Sequence, residues 1–269
     1  CGSFSSGALL DGGFVVTCSS NVPVNFSELQ DDGYGVVAQR FTSDGTPAGN
    51  VFLVNTFTEA RQENPAVVVL SDGGFVIAWS SAGNQDGDGS GIYGQRFAAD
   101  GTPLGGEFQV NTHTESNQAD ANLAALEDGG FLVTWYSQGN PNQARTDSNL
   151  FGQRFGADGT PLGEEFQISI GELNYNSTVA SLPDGDVVVL WEAVVQQTNN
   201  YRDIFGQTFS TRANLNTAEN ITVALSFVDN GISIVNKLRS TYGATINRLE
   251  YAVDNLTNIA QNTEAARSR

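Results

Sequence analysis

The acid-rich run Asn84-Gln-Asp-Gly-Asp-Gly-Ser-Gly91 is the stretch whose residue types best suit a divalent cation. Asp86, Asp88 and Ser90 alternate as oxygen ligands do in calcium loops. An EF-hand counted from Asp86 needs an acid at its twelfth position, and that position is Phe97, so the loop is not of that kind. Two carboxylates and a hydroxyl make a thin shell for calcium. The matched loops elsewhere read Asp31-Asp32-Gly33, Asp147-Ser148-Asn149 and Arg202-Asp203, so the pattern is not kept. The competing reading is a hairpin loop in which Asp-Gly supplies backbone freedom. Calcium is therefore a candidate ligand, and no cofactor is required.

Catalytic chemistry finds few candidates. His113 is the only histidine, and alone it supports neither a zinc site nor a Ser-His-Asp triad. No phosphate loop, dinucleotide fingerprint or nucleophile elbow is present. The carboxylate pairs Asp31-Asp32 and Glu164-Glu165 could serve a glycosidase in principle. Neighbours on a strand point to opposite faces, however, which argues against shared work. The expectation is that the chain is not an enzyme.

The elements that must carry these loops repeat. Leu10-Asp-Gly-Gly-Phe-Val-Val-Thr-Cys18, Ser71-Asp-Gly-Gly-Phe-Val-Ile-Ala-Trp79, Glu127-Asp-Gly-Gly-Phe-Leu-Val-Thr-Trp135 and Pro183-Asp-Gly-Asp-Val-Val-Val-Leu-Trp191 are one pattern. The tryptophans recur every 56 residues, and Cys18 fills the same slot in the first copy. In step with them run Val37-Ala-Gln-Arg-Phe41, Tyr93-Gly-Gln-Arg-Phe97, Phe151-Gly-Gln-Arg-Phe155 and Phe205-Gly-Gln-Thr-Phe209. Asp-Gly-Thr-Pro turns follow at Asp44, Asp100 and Asp158. Four short β-type runs per repeat, bounded by Asp-Gly turns, predict four-stranded antiparallel units of the propeller kind over residues 1–210, about four units with the first incomplete. Arg40, Arg96 and Arg154 are expected to pair with recurring aspartates such as Asp72, Asp128 and Asp184. Cys18 is expected to be a small buried core residue, although a bond to Cys1, the other cysteine, is open to it.

Charge is one-sided. The chain of 269 residues holds 30 acids and 12 bases, a net charge of −18, and all of the excess lies before Thr217. That argues against nucleic acid or an anionic membrane as partner. No apolar run is long enough for a membrane span. The absence of methionine predicts a fragment or processed product.

Residues 216–269 read differently. Ile221, Leu225, Val228, Ile232, Val235, Leu238, Tyr242, Ile246, Leu249, Val253, Leu256 and Ala260 follow in steps of three and four. This spacing predicts one long amphipathic helix, capped by Asn216 with Glu219, whose stripe needs a cover. Leu238-Arg239, Gly243-Ala244, Asn247-Arg248-Leu249, Asn255-Leu256 and the Ala265-Ala-Arg-Ser-Arg269 ending resemble the carboxy-terminal core helix of bacterial flagellins. Thr245-Ile246 departs from that family, and the chain stops before its last terminal helix. The resemblance implies an assembly interface at Ile232, Val235, Leu238, Arg239, Ile246, Asn247, Arg248, Leu249, Val253 and Leu256. It implies other flagellin-type subunits as partners, an amino-terminal flagellin helix supplied from elsewhere, and a secreted filament at the cell surface.

The expected fold is therefore α+β and multidomain, with propeller-like β units followed by one long helix. The expected function is a structural subunit of a flagellar filament that displays the β domain outside. The alternative is a secreted adhesin or calcium-dependent carbohydrate-binding module that contacts a glycan or host receptor. Tyr136, Tyr175 and Tyr201 are its loop-side aromatic candidates.

Overall fold

The turns of each repeat are prescribed at short range. In the Asp-Gly-Gly turns the carboxylates of Asp11, Asp72 and Asp128 accept from the amides of Gly13, Gly74 and Gly130 at 2.9, 2.9 and 3.1 Å. The first glycine of each pair, Gly12, Gly73 and Gly129, holds a positive φ of 85–88°. The second has a different reason. A Cβ at Gly13 or Gly130 would lie 2.3 Å from the carbonyl oxygen of Phe41 or Phe155, so the neighbouring backbone leaves no room for a side chain. In the Asp-Gly-Thr-Pro turns, Asp44, Asp100 and Asp158 accept from the amides of Thr46, Thr102 and Thr160. The Thr42 hydroxyl and Thr46 amide hold the Asp44 carboxyl down to about 2.

The structure, a computed structural model, describes residues 2–20, 35–138, 148–169, 174–196 and 201–210. The first sheet holds β1 (Phe4–Ala8), β2 (Phe14–Ser20), β3 (Gly35–Phe41) and β4 (Phe52–Leu53). The second holds β5 (Gln62–Val69), β6 (Phe75–Ser81), β7 (Gly91–Phe97) and β8 (Pro103–Gln109). The third holds β9 (Gln118–Ala125), β10 (Phe131–Gln138), β11 (Ser148–Phe155) and β12 (Phe166–Gln167). The fourth holds β13 (Asn174–Ser181), β14 (Val187–Gln196) and β15 (Tyr201–Phe209). All pairings are antiparallel between chain neighbours. The first strands stand side by side, β1 against β5, β5 against β9 and β9 against β13.

Among the described residues there is no helix, so the α+β class is corrected to all-β for this part of the chain. The chain divides into the units Cys1–Thr211 and Arg212–Arg269. The second unit, with the long helix expected over 216–269, lies outside the described residues.

The core sits between sheets and follows one code. An aliphatic face of one sheet, such as Leu70, Val76, Ile92 and Val110, packs on an aromatic face of the next, Phe131, Val133, Trp135, Phe151 and Phe155. The same pattern sets Leu9, Val15, Val36 and Val54 against Phe75, Ile77, Trp79, Tyr93 and Phe97. It recurs with Leu126, Leu132, Leu150 and Ile168 against Val187, Val189 and Trp191. Each blade also sends a phenylalanine forward. Phe52 tilts against Phe97, Phe108 against Phe155 and Phe166 against Phe209. Gly94 and Gly152 make room for this, since a Cβ there would lie 2.7 Å and 3.0 Å from the rings of Phe108 and Phe166. Polar staples join the outer strands. One oxygen of Glu107 accepts from the Thr56 amide and hydroxyl, and Glu165 does the same for Thr112.

Cys18 is buried as expected of a core residue, but it is disulfide-bonded rather than free, and the sequence holds one other cysteine, Cys1. The repeating arginines pair within their own sheets: Arg40 with Asp11, Arg96 with Asp72 and Arg154 with Asp128. Asp184 has no arginine to meet, because Thr208 stands at that place in the fourth repeat.

Trp79 is fully buried, and its indole N–H donates to Gln62 Oε1 at 2.9 Å. Trp79→Ala is expected to lower unfolding free energy in urea by about 3–5 kcal/mol. Arg96→Ala removes a pair whose aspartate is half exposed and is expected to cost under about 1 kcal/mol. Equal effects from the two changes would contradict the packing account.

Candidate functional site

The residues that break the repeat collect in one place. Asn64, Asp120 and Asn176 are 56 residues apart and have φ values of 53°, 59° and 47°. L-residues rarely hold this left-handed conformation, and asparagine and aspartate tolerate it best. Each lies where the first strand of its sheet slips register against the second: between Glu63 and Ala66, opposite the Thr134/Tyr136 shift, and between Tyr175 and Thr178. The extra residue of such a bulge is unpaired and its side chain is re-aimed.

These side chains form a chain of contacts across sheets. The Ser3 hydroxyl donates to Asn64 Oδ1 at 2.7 Å, and Asn64 Nδ2 donates to Asp120 Oδ1 at 2.8 Å. Asn176 Nδ2 donates to Glu192 Oε2 at 3.3 Å, and Arg202 pairs with the same oxygen at 3.4 Å. The Asp120 amide donates to the Ser80 hydroxyl at 3.1 Å. Between β9, β10 and β13 opens a cavity of about 340 Å³ lined by Asn117, Ala119, Asp120, Tyr136, Gln138, Ser148, Asn174 and Asn176. Two fixed contacts frame it: Asn174 Nδ2 donates to the Ser148 carbonyl at 2.6 Å, and Asn117 Nδ2 to Gln138 Oε1 at 3.4 Å.

Tyr136 is 7% exposed, and its buried hydroxyl makes no aligned hydrogen bond. Burial pushes its phenol up to about 12; Ser177 opposes the shift, and the charges of Asp120 and Glu192 add to it. The cavity thus offers one neutral phenol, the Asp120 carboxylate, and amides that can donate and accept, with Glu192 held behind Asn176. None of its lining residues is a cation.

The sequence-derived candidates fall elsewhere. Asp88 accepts from the Ser116 amide at 3.1 Å, while Asp86 accepts from Asn111 Nδ2 at 3.3 Å. Ser90 bridges in parallel to Asn117. The two aspartates are thus directed to different partners. Among the described residues no group of three or more His, Cys, Asp or Glu side chains could hold a metal ion. His113 donates its backbone amide to Glu165 at 3.3 Å as part of an inter-sheet staple. Tyr136 is a buried strand residue rather than a loop aromatic; Tyr175 and Tyr201 lie on β13 and β15. Glu165 is occupied in its staple, and Asp31-Asp32 lies outside the described residues, as does the expected interface Ile232, Val235, Leu238, Arg239, Ile246, Asn247, Arg248, Leu249, Val253 and Leu256.

Asp120 and Glu192 were not singled out from the sequence, although a signal was there. Ser80, Tyr136 and Glu192 each follow the repeating tryptophan, and Asn64, Asp120 and Asn176 share another phase. Variation at a fixed register position inside a conserved-looking frame marks the place.

No family model matches the chain. It is 40% identical over 55 residues to the B-type flagellin of Pseudomonas aeruginosa, a match covering 20% of this chain and 11% of that protein. Similar solved structures include an α-L-arabinanase from Penicillium chrysogenum complexed with arabinobiose, 12% identical with a TM-score of 0.52. That likeness covers 77% of this chain and 61% of the arabinanase. A Hadza microbial sialidase is 12% identical with a TM-score of 0.53, over 76% of this chain and 43% of that one. A protein of unknown function from Dyadobacter fermentans is 14% identical with a TM-score of 0.53, over 76% and 64%. At these identities the likeness shows the fold, a β-propeller.

These findings correct the functional expectations. Membership in the flagellins does not stand, because the similarity spans about a tenth of a flagellin while the described residues form a propeller. The filament role, motility and a homopolymer of flagellin-type subunits fall with it. The adhesin or calcium-dependent binding module rested on loop-side tyrosines, and Tyr136 is a buried residue of β10. The expectation that the chain is not an enzyme rested on missing linear motifs, and it is not kept, because the propeller fold is also that of an arabinanase and a sialidase.

The raised phenol gives a pH dependence. The unfolded chain loses the Tyr136 proton near 10, whereas the folded chain keeps it to about 12. Above pH 10 the native state binds more protons, so this part of the stability is present below pH 10 and lost as pH rises through about 12. In absorbance titrations at 295 nm, Tyr136→Phe is expected to remove a phenol that ionises near 12. Loss of one ionising near 10 would contradict the burial account.

Proposed function

We propose that the propeller acts on glycosides, with the cavity between the third and fourth sheets as the sugar site and Asp120 and Glu192 as its reactive carboxylates. The observation that carries this reading is an amide-lined cavity that holds Asp120 from the third sheet and Asn176 from the fourth, whose side-chain amide donates to Glu192.

Cleavage of a glycosidic bond asks for two such groups. One donates a proton to the leaving oxygen, while the other activates water or attacks the anomeric carbon. Asp120 is exposed and Glu192 half-buried, so both can meet a ligand. Asn117, Gln138, Asn174 and Asn176 line the cavity with amides that can donate to and accept from sugar hydroxyls. Tyr136, held neutral, can donate to a ring or hydroxyl oxygen. The fold likeness to an arabinanase and a sialidase supports the reading as fold analogy.

Charge narrows the substrate. The lining holds an aspartate and no lysine or arginine, and the nearby Arg202 is paired with Glu192. An anionic sugar such as a sialoside would meet repulsion without a fixed cation to bind its carboxylate. Neutral glycosides are therefore the substrate class, pentosides and hexosides alike.

The test is a panel of aryl glycosides and polymeric arabinan and xylan, with release of the aryl group or of reducing ends as readout. Wild-type protein is expected to cleave a neutral glycoside and to leave the matched sialoside untouched. Asp120→Asn and Glu192→Gln are each expected to lower kcat/KM by about 100-fold or more without moving the melting midpoint. No cleavage across the panel, or full activity in Asp120→Asn, would sink the reading. Sugar binding without turnover would leave a binding site and remove the hydrolase.

A further inference from the structure

The bulge position carries an amide in the second and fourth sheets, and each amide addresses one of the two carboxylates. Asn64 Nδ2 donates to Asp120 at 2.8 Å, and Asn176 Nδ2 donates to Glu192 at 3.3 Å. The two asparagines are two repeats apart and share one backbone conformation. The first contact crosses from the second sheet to the third and the second joins neighbouring strands of the fourth, and neither is required by the ladders, which run past the bulges.

The orientation of the first amide is fixed from behind. The Ser3 hydroxyl donates to Asn64 Oδ1 at 2.7 Å, which leaves the NH2 group to face Asp120. A serine hydroxyl, a side-chain amide and a carboxylate thus run in series across three sheets. The residue type at position 64 also matters electrostatically. An aspartate there would set two carboxylates within hydrogen-bond distance, where both cannot easily ionise.

We propose that Asn64 and Asn176 are positioning residues, each holding one carboxylate of the sugar site in its working orientation from a left-handed bulge. This rests on the glycosidase reading of the same cavity. Neither asparagine needs to touch the bond that breaks. Asn64 acts through Asp120 and Asn176 through Glu192, and Ser3 orders the first pair by one further step.

Glycine is the informative replacement, because it removes the amide and suits a positive φ better than any other residue. Asn64→Gly is expected to keep the melting midpoint and KM for a neutral aryl glycoside while lowering kcat by about 10- to 100-fold, as misplacement of a reacting group does. Asn176→Gly, at a residue that also lines the cavity, is expected to lower kcat by a similar factor. Asn64→Asp is expected to lower kcat as well, since it replaces a donor to Asp120 by a like charge. Glycine variants with unchanged kcat, or with a loss confined to KM, would overturn the proposal while the glycosidase reading stood.

A second measurement needs no turnover. The side-chain NH2 resonances of Asn64 are expected to move in Asp120→Asn and to stay in place in Glu192→Gln. Resonances unchanged by Asp120→Asn would overturn the contact itself. If they move and no glycoside is cleaved, the positioning arrangement exists and the hydrolase reading is what has failed.

Discussion

The described fold stands on one repeated contact, the aliphatic face of a sheet laid on the aromatic face of the next. A sheet cannot bury two apolar faces alone, and the second and third sheets bury both, one against each neighbour. Trp79 and Trp135 are wholly buried in such contacts, and Trp191 nearly so. Burying side chains of this size contributes several kcal/mol each before ordering costs, more than any exposed ion pair in the chain can offer. The salt bridges of Arg40, Arg96 and Arg154 repeat faithfully, yet their aspartates are about half exposed or more, and their role is to dress turns that the packing already sets.

That contact also decides where chemistry can lie. Residues between sheets are bound to the size and shape of their slot, and those in the Asp-Gly turns to their backbone angles. The first strands are less constrained at their bulges, and so is the position just after each tryptophan. Asn64, Asp120 and Asn176 occupy the first kind of place, and Ser80, Tyr136 and Glu192 the second. The cavity forms where the two meet between the third and fourth sheets. Its polarity then follows from residue identity alone, with amides and one carboxylate but no lining cation.

Much of the frame was legible because it is written locally. Asp-Gly turns, alternating apolar runs and the recurring tryptophan specify four-stranded units without knowledge of what lies beside them. The site was not, because it is assembled across repeats. A search for acids adjacent in sequence finds Asp31-Asp32 and Glu164-Glu165, whereas Asp120 and Asn176 come to line one cavity only after two sheets pack. The bulge was hidden too, since one extra residue barely disturbs a pattern of period two. Cys18 shows the same limit: its burial follows from the tryptophan slot, but its bond depends on where another segment passes. The flagellin-like spacing after Asn216 is a fifth of the chain, and extending it to the whole gave the filament reading that the propeller corrects.

The bulge has a further meaning for how such a molecule can change. Its extra residue sits outside the ladder, and its left-handed backbone accepts asparagine, aspartate or glycine with little difference in strain. Exchanging one for another alters charge and donor pattern at the cavity while every strand pair and every buried ring stays as it was. A scaffold of this kind separates the part that must be kept from the part that can be rewritten, so a new specificity lies a single residue away rather than a new fold away.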